Sequence, residues 1–312
     1  MGEALWSCDA GAVGERESLS LRLPSPVFEL PDDRLTAAGV HVLLKRDDLI
    51  HPEFPGNKWR KLKYNVAATR ELGLGTLLTF GGAYSNHIRA TAAVGYYGGF
   101  ATIGVIRGEE HQPLNPSLEY AVRRGMQLTY LDRTTYRAKT SKAVIDGLRR
   151  EFGAFYLLPE GGSNTEALRG CAEIPSELTE SFDVLFCAVG TGGTLAGVAA
   201  GLSPQQSAVG VPVLKGGGYL EREIIDLQTS AFGARSGSWR LECDYHFGGY
   251  AKRTAELDMF IEDFAGRHGL LLDWVYEAKM MYALFDLVER RAFAPGTTIV
   301  ALISGSAEVP EV

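Results

Sequence analysis

Four cysteines in 312 residues, at Cys8, Cys171, Cys187 and Cys243, are too few and too scattered for a disulfide framework. No C-x-x-C pair occurs among them, which removes a zinc ribbon and any other recognisable metal ligand set. Reduced thiols in a cytoplasmic protein fit this usage. Basic residues are also in deficit: 31 Lys and Arg stand against 38 Asp and Glu, a net charge of −7. With no long basic run, the chain has nothing to grip a phosphate backbone, so nucleic acid is not an expected partner. Residues 1–22 lack the basic n-region, apolar h-region and small-residue cleavage site of a secretory signal. Fixed-period repeats and low-complexity tracts are missing too. One stretch, 184–202, runs 19 residues without a charge and nominally reaches membrane length. Five of those residues are glycine, so a strand, a tight loop and a helix explain it better than a membrane span.

What is present is an ample core, since 46% of the residues are hydrophobic. Apolar runs of about five residues, the length of a buried strand, alternate with longer stretches of helical spacing. Strands are predicted at 41–45, 76–80, 101–106, 127–131, 155–158, 184–188, 209–213 and 298–303. Helices are predicted between them, at 57–72, 86–97, 116–124, 135–152, 165–178, 193–202, 219–227, 252–268 and 278–290. Continuous apolar strands separated by helices make an α/β chain whose largely parallel sheets are covered on both faces. Segment 231–240 reads as an exposed loop, and 1–22 as an arm laid over the body or a neighbour.

Two motifs carry the chemistry of the first half. In Pro55-Gly56-Asn57-Lys58-Trp59-Arg60-Lys61-Leu62 a lysine follows a Pro-Gly turn and opens a helix. The positive helix end, desolvation and the charges of Arg60 and Lys61 all lower the pKa of Lys58, which a lysine needs before it can attack an aldehyde. The plain alternative is a solvated charge run. In Phe80-Gly81-Gly82-Ala83-Tyr84-Ser85-Asn86-His87, Ser85 or Asn86 could simply cap a helix. The Gly81-Gly82 turn adds free N–H groups at the carboxyl end of a strand, where open α/β sheets bind ligands. Together the motifs point to an aldehyde cofactor, pyridoxal 5′-phosphate (PLP).

A third motif, Gly190-Thr191-Gly192-Gly193-Thr194, follows a strand and opens a helix. Its N–H groups and the Thr191 and Thr194 hydroxyls form a nest suited to a phosphate monoester. A dinucleotide site would want an acid about 20 residues on, and 190–215 contains no Asp or Glu; the Walker-A lysine is missing as well.

These three motifs, with Lys45-Arg46-Asp47-Asp48-Leu49, resemble the 1-aminocyclopropane-1-carboxylate (ACC) deaminase and D-cysteine desulfhydrase family, PLP enzymes of fold type II, the tryptophan synthase β-subunit fold. The likeness runs from about Val27 to Ser306. It implies two open, mostly parallel α/β domains with the cofactor in the cleft between them: a large one of 1–60 and 164–312, and a small one of 61–163. It further implies a homodimer acting on a small amino acid, by β-elimination from D-cysteine or by opening the cyclopropane ring. By position, Lys58 matches the lysine that holds the cofactor, with Asn57 beside it. Asn86 matches the partner of the phenolic oxygen, and Gly190, Thr191, Gly192, Gly193 and Thr194 the phosphate cup. Tyr250 and Tyr276 match two active-site tyrosines, although a lone tyrosine is more often core packing. Tyr84, Ser85, Asn86 and His87 match the substrate-binding run, with Ser85 also among the catalytic residues.

The sequence departs from the family at Tyr84, where the family has Gln, so a different pocket floor is expected. At Ile303-Ser304-Gly305-Ser306 the family has a His-Thr-Gly-Gly run and further chain, so a capping element is expected to be missing. Glu277 and Ser304 are rival partners for the pyridine nitrogen, a carboxylate making the ring a stronger electron sink than a hydroxyl does. The altered C-terminus also leaves open a catalytically degraded homologue that binds PLP or an amino acid as a sensor or structural subunit.

Overall fold

In the computed structural model, which describes residues 19–54 and 56–305, the apolar runs assemble into two sheets. In chain order the elements are β1 (Val27–Glu29), α1 (Asp33–Ala38), β2 (His41–Arg46), α2 (Lys58–Glu71), β3 (Thr76–Gly81), α3 (Asn86–Gly98), β4 (Ala101–Arg107), α4 (Pro116–Arg123), β5 (Met126–Leu131), α5 (Arg133–Arg137), α6 (Lys142–Phe152) and β6 (Tyr156–Leu158). They continue with α7 (Thr165–Cys171), β7 (Val184–Val189), α8 (Gly193–Gly201), β8 (Ser207–Pro212), α9 (Leu220–Phe232), β9 (Ser238–Leu241), α10 (Ala255–His268), α11 (Glu277–Glu289) and β10 (Thr298–Ile303).

The larger sheet has the order β1-β2-β10-β7-β8-β9, parallel except for β1, which pairs antiparallel with β2. The smaller, β5-β4-β3-β6, is wholly parallel. Alternation along the strands feeds two cores. Ile299, Ala301 and Ile303 face α1, α10 and α11 with Phe186, Phe264 and Leu284. Val300 and Leu302 face the other way, onto α7, α8 and α9 with Leu195, Val198 and Ile224. Each such fully buried aliphatic contributes about 1.5–3 kcal/mol. No helix among the described residues is long and apolar enough to cross a membrane. The charge-free stretch divides instead into β7, a glycine loop and α8.

Several elements differ from the sequence expectation, each for a local reason. The helix expected over 135–152 is two, α5 and α6, because Ser141 caps α6 through Val144 N. The one expected over 165–178 stops at Cys171, and Pro175 opens a 3₁₀ turn, where a proline can start but not continue a helix. Segment 231–240 is not all loop: α9 runs to Phe232, and Ser238–Leu241 forms an edge strand. β1 and α1 are additions to the expected elements; α1 is a short helix capped by Asp32 and closed by Gly39 at φ +69°. Of the expected N-terminal arm only residues 19–22 are described; the rest lies outside the described residues, as do Ser306 and the residues after it.

The topology brings the carboxyl ends of β3, β6, β7 and β10 to one cavity, together with the first turn of α2 and the Tyr276–Glu277 start of α11. This is the edge at which parallel α/β sheets bind ligands.

Candidate active site

Gly56 sets the entrance to α2. It has φ +56°, and a Cβ there would stand 1.2 Å from the Ser304 carbonyl oxygen, so no other residue fits. Asn57 N donates to that same carbonyl at 3.3 Å, which pins the first turn of α2 to the end of β10. Lys58 follows, partly buried, its Nζ donating to Asn57 Oδ1 at 3.2 Å. Burial, and then the like charge of Lys61, push its pKa from the ordinary 10.5 down to about 7; Cys171 and Glu277 oppose this weakly. Arg60, expected to share in this effect, is occupied elsewhere.

The basic run is not a solvated face. Arg60 is fully buried and makes bidentate contacts with Asp47 (2.6 and 2.8 Å) and with Glu177 (2.7 and 2.8 Å). Lys45, also fully buried, adds bonds to Glu177 (2.9 Å) and to the Ser25 carbonyl (2.8 Å). Burial works against the Glu177 carboxylate, but Arg60 and Lys45 overcome it and hold its pKa down to about 2. This ionic cluster ties α2 to β2, so the motif at residues 45–49 serves to position Lys58. Where α2 crosses α7 a Cβ on Gly170 would lie 1.9 Å from the Arg60 carbonyl oxygen, so the crossing is as close as backbones allow.

At one end of the cavity lies a cationic cup. Gly192, at φ +80°, starts α8 with no side-chain cap, so the first N–H groups of that helix have no side chain to receive them. A Cβ on Gly192 would meet Ile224 at 2.6 Å, and one on Gly190 the Tyr276 ring at 3.3 Å. Gly193 lies behind the cup, its Cβ direction filled by Ser163 Oγ at 2.4 Å and Lys61 Nζ at 3.3 Å. Asn57 Nδ2 donates to Thr194 Oγ1 at 2.8 Å, and Ser163 Oγ pairs with Thr191 Oγ1 at 2.6 Å. Lys61 closes the cup, donating to Gly161 O (3.0 Å) and Ser163 Oγ (3.2 Å), with burial lowering its pKa.

The start of α3 forms one wall. Ser85 Oγ accepts from Ile88 N at 3.4 Å, which leaves its own O–H free to donate. Arg89 donates to Asn86 Oδ1 at 2.5 Å, so the Asn86 amide presents its NH₂. His87 is buried, with neither ring nitrogen in good hydrogen-bond geometry with a protein group; burial, then Lys58 and Lys61, hold it well below 6.5 and so neutral. Tyr84 does not join this wall. It is 72% exposed and outside the cavity.

The opposite end is acidic. Glu277 is buried, and Ser304 donates to its Oε1 twice, from N at 3.2 Å and from Oγ at 3.0 Å. The two expected rivals are thus partners. Glu277 Oε2 is in good hydrogen-bond geometry with no protein group, although the Asp273 carboxyl lies beside Glu277. Burial first, then Asp273, push the Glu277 carboxyl up to about 8. Burial likewise raises Asp273, whose carboxylate accepts from Val275 N (3.0 Å) and Tyr276 N (2.7 Å). Tyr250 and Tyr276 meet edge to face with centroids 6.1 Å apart, and burial, then Tyr250, hold the Tyr276 phenol well above 10.

Sequence reasoning missed three groups here. Lys61 stands three residues beyond Lys58, on the same helix face. Asp273 precedes Glu277 by one helical turn. Gly161 and Gly162, both left-handed, repeat at the end of β6 the Gly-Gly signature recognised at the end of β3. Spacing alone could have pointed to each.

The cavity therefore offers an amine poised near neutrality, an anion cup about one helix N-terminus, an amide NH₂ in its wall and an unsatisfied carboxyl oxygen at the far end. That donor set fits a ring bearing an aldehyde, a phosphate, a phenolic oxygen and a basic nitrogen. Comparison with known proteins agrees. Residues 20–305 match the family model described as "Pyridoxal-phosphate dependent enzyme". A Thermotoga maritima protein named "Putative 1-aminocyclopropane-1-carboxylate deaminase" is 33% identical over 87% of this chain and 91% of its own length. A Pyrococcus horikoshii protein of the same name is 31% identical over 81% of each. The crystal structure of an ACC deaminase homologue superposes with a TM-score of 0.79 at 29% identity, covering 92% of this chain and 91% of its own. The chain belongs to the pyridoxal-phosphate-dependent enzymes of fold type II.

Proposed function

We propose that this protein is a PLP-dependent lyase or deaminase acting on a small amino acid, with Lys58 as the residue that holds the cofactor and moves the substrate proton. The observation that carries the reading is the Lys58 amine. With a pKa near 7 it is about half unprotonated at neutral pH, and it lies between an anion cup and a buried carboxyl.

In this reading Gly190, Thr191, Gly192 and Thr194, with Lys61, receive the phosphate; Gly193 supports the cup from behind. Asn86 donates its NH₂ to the phenolic oxygen, and Glu277, oriented by Ser304, faces the ring nitrogen. Bound there, PLP supplies an electron sink conjugated with the substrate's α-carbon. The substrate carboxylate is received by the Ser85 hydroxyl and the N–H groups opening α3, beside His87. Asn57 holds Lys58 Nζ on one side and Thr194 on the other, so the amine is aligned with the cup, to take the α-proton of D-cysteine or, for ACC, whose α-carbon bears no hydrogen, a ring-methylene proton. Tyr276 keeps its phenolic proton, and the Tyr250 and Tyr276 hydroxyls serve as donors to a leaving group or a ring carbon. In the same reading the chain divides into two lobes, 1–60 with 164–312 and 61–163, that enclose the substrate between them.

Two substrates are in contention. The names of the relatives favour ACC, whereas the Ser85-Asn86-His87 run favours D-cysteine, which with water gives pyruvate, ammonia and hydrogen sulfide. Incubating the purified holoenzyme with D-cysteine, D-serine and ACC and assaying keto acid separates them. Keto acid from none of a wider panel of small amino acids would overturn the reading and favour a binding role.

A further inference from the structure

Tyr250 stands at the rim of the cavity. It is 45% exposed, and its ring rests edge to face on Tyr276. It belongs to a loop with an unusual backbone: Phe247, Gly248, Gly249 and Ala251 have φ of 49°, 93°, 119° and 50°. Two of these are not glycine, and each such residue costs about 1–2 kcal/mol in the left-handed region. Inside the loop Gly249 N donates to His246 O (3.0 Å), Lys252 N to Gly249 O (3.1 Å) and Gly248 N to His246 Nδ1 (3.0 Å).

Lys279 supplies the outside hold. It stands on α11 two residues past Glu277, fully buried, and its Nζ donates to His246 O at 2.9 Å and to Gly249 O at 2.7 Å. It forms no ion pair among the described residues, and burial lowers its pKa to about 8 against a small opposing effect of Asp273. A buried ammonium without a counter-ion is costly, and a methionine would fill similar space without that cost. What only the ammonium does is tie together the two carbonyls that bracket the strained stretch.

We propose that Lys279 is a positioning residue, its buried ammonium clamping the 246–251 loop to α11 and thereby setting where the Tyr250 phenol stands over the cavity. This rests on the reading of that cavity as the active site. The role extends to any substrate whose leaving group or ring carbon is served by Tyr250.

The test uses holoenzyme carrying Lys279→Met, Tyr250→Phe and both. Amide hydrogen exchange in peptides covering 245–252 is expected to accelerate about tenfold or more in Lys279→Met, while α10 and α11 keep their protection. On whichever of D-cysteine, D-serine or ACC is turned over, kcat of Lys279→Met is expected to fall about as far as that of Tyr250→Phe, and the double variant no further, because one residue acts through the other. Unchanged exchange in the loop, acceleration spread evenly through the protein, or effects of the two substitutions that multiply would each overturn the clamp. If Lys279→Met does not fold, Lys279→Leu, which also lacks an N–H donor, is measured in its place by the same criteria. If no member of the wider amino-acid panel reacts, the functional reading fails while the exchange result still decides the clamp.

Discussion

Two groups of buried charge lie within one turn of each other on α2 and are treated in opposite ways. Around Arg60, two cations and two carboxylates are matched by bonds of 2.6–2.9 Å, bidentate from Arg60 and single from Lys45. Around Lys58 and Lys61, the acceptors are an amide, a carbonyl and a hydroxyl, with no carboxylate in ion-pair contact among the described residues. At the other end of the cavity Glu277 and Asp273 repeat the pattern with the opposite sign. Matched charge holds the fold together, whereas unmatched charge shifts pKa values and awaits a ligand that is anionic at one end and basic at the other.

The largest expected effect falls on the unmatched amine itself. Lys58→Ala should give a colourless protein that no longer retains PLP after borohydride treatment, with turnover down by about 10³-fold or more. A borohydride-labelled peptide lacking Lys58 would break the assignment.

Next comes a direct contrast between the two groups. Arg60→Met leaves buried Asp47 with only the Ser25 hydroxyl and Glu177 with only Lys45, and should cost about 3–5 kcal/mol, seen as a drop in melting temperature with or without cofactor. Lys61→Met removes a charge that has no counter-ion. It should leave the melting temperature of the cofactor-free protein unchanged or higher, yet weaken PLP binding by about tenfold to a hundredfold, the value of charge-assisted bonds to a phosphate. Equal losses of stability in both variants would erase the distinction.

The acidic end offers a smaller effect. Glu277→Gln should slow turnover by about 10²-fold, with Ser304→Ala milder because its hydroxyl only holds Oε1. In the cofactor-free protein the raised Glu277 pKa means that the unfolded chain ionises first. Wild-type stability is therefore present below pH 4.5 and falls as pH rises toward 8, and Glu277→Gln should flatten that slope. A slope the variant does not change would place the buried proton elsewhere.

Much of this was legible in the chain. Lys58, Asn86, the 190–194 loop, Tyr276 and Glu277 come together about the cavity; the first three stand at strand ends or helix starts marked by glycine, whereas Tyr276 and Glu277 open α11 with no glycine beside them and were implied by the resemblance alone. What was not legible depended on direction rather than on residue type. Within one basic run, sequence does not say that Arg60 turns to Asp47 while Lys61 turns to the cup. Ser304 and Glu277 looked like alternatives because a hydrogen bond between β10 and α11 has no sequence signal. Tyr84 was expected at the pocket floor, yet its side chain is exposed outside the cavity, a direction its residue type does not mark. The short edge strands β1 and β9 hold three and four residues, below the length at which apolar alternation can be recognised.

The central claim is that the cavity keeps its lysine unpaired and therefore reactive near neutral pH. It is tested most directly by the rate at which cofactor-free protein captures PLP as a function of pH, with the product fixed by borohydride and mapped by peptide. The account predicts label on Lys58 and a rate that reaches half its maximum near pH 7. A half-maximum near 10.5, the value of an ordinary lysine, or label on another residue would contradict it.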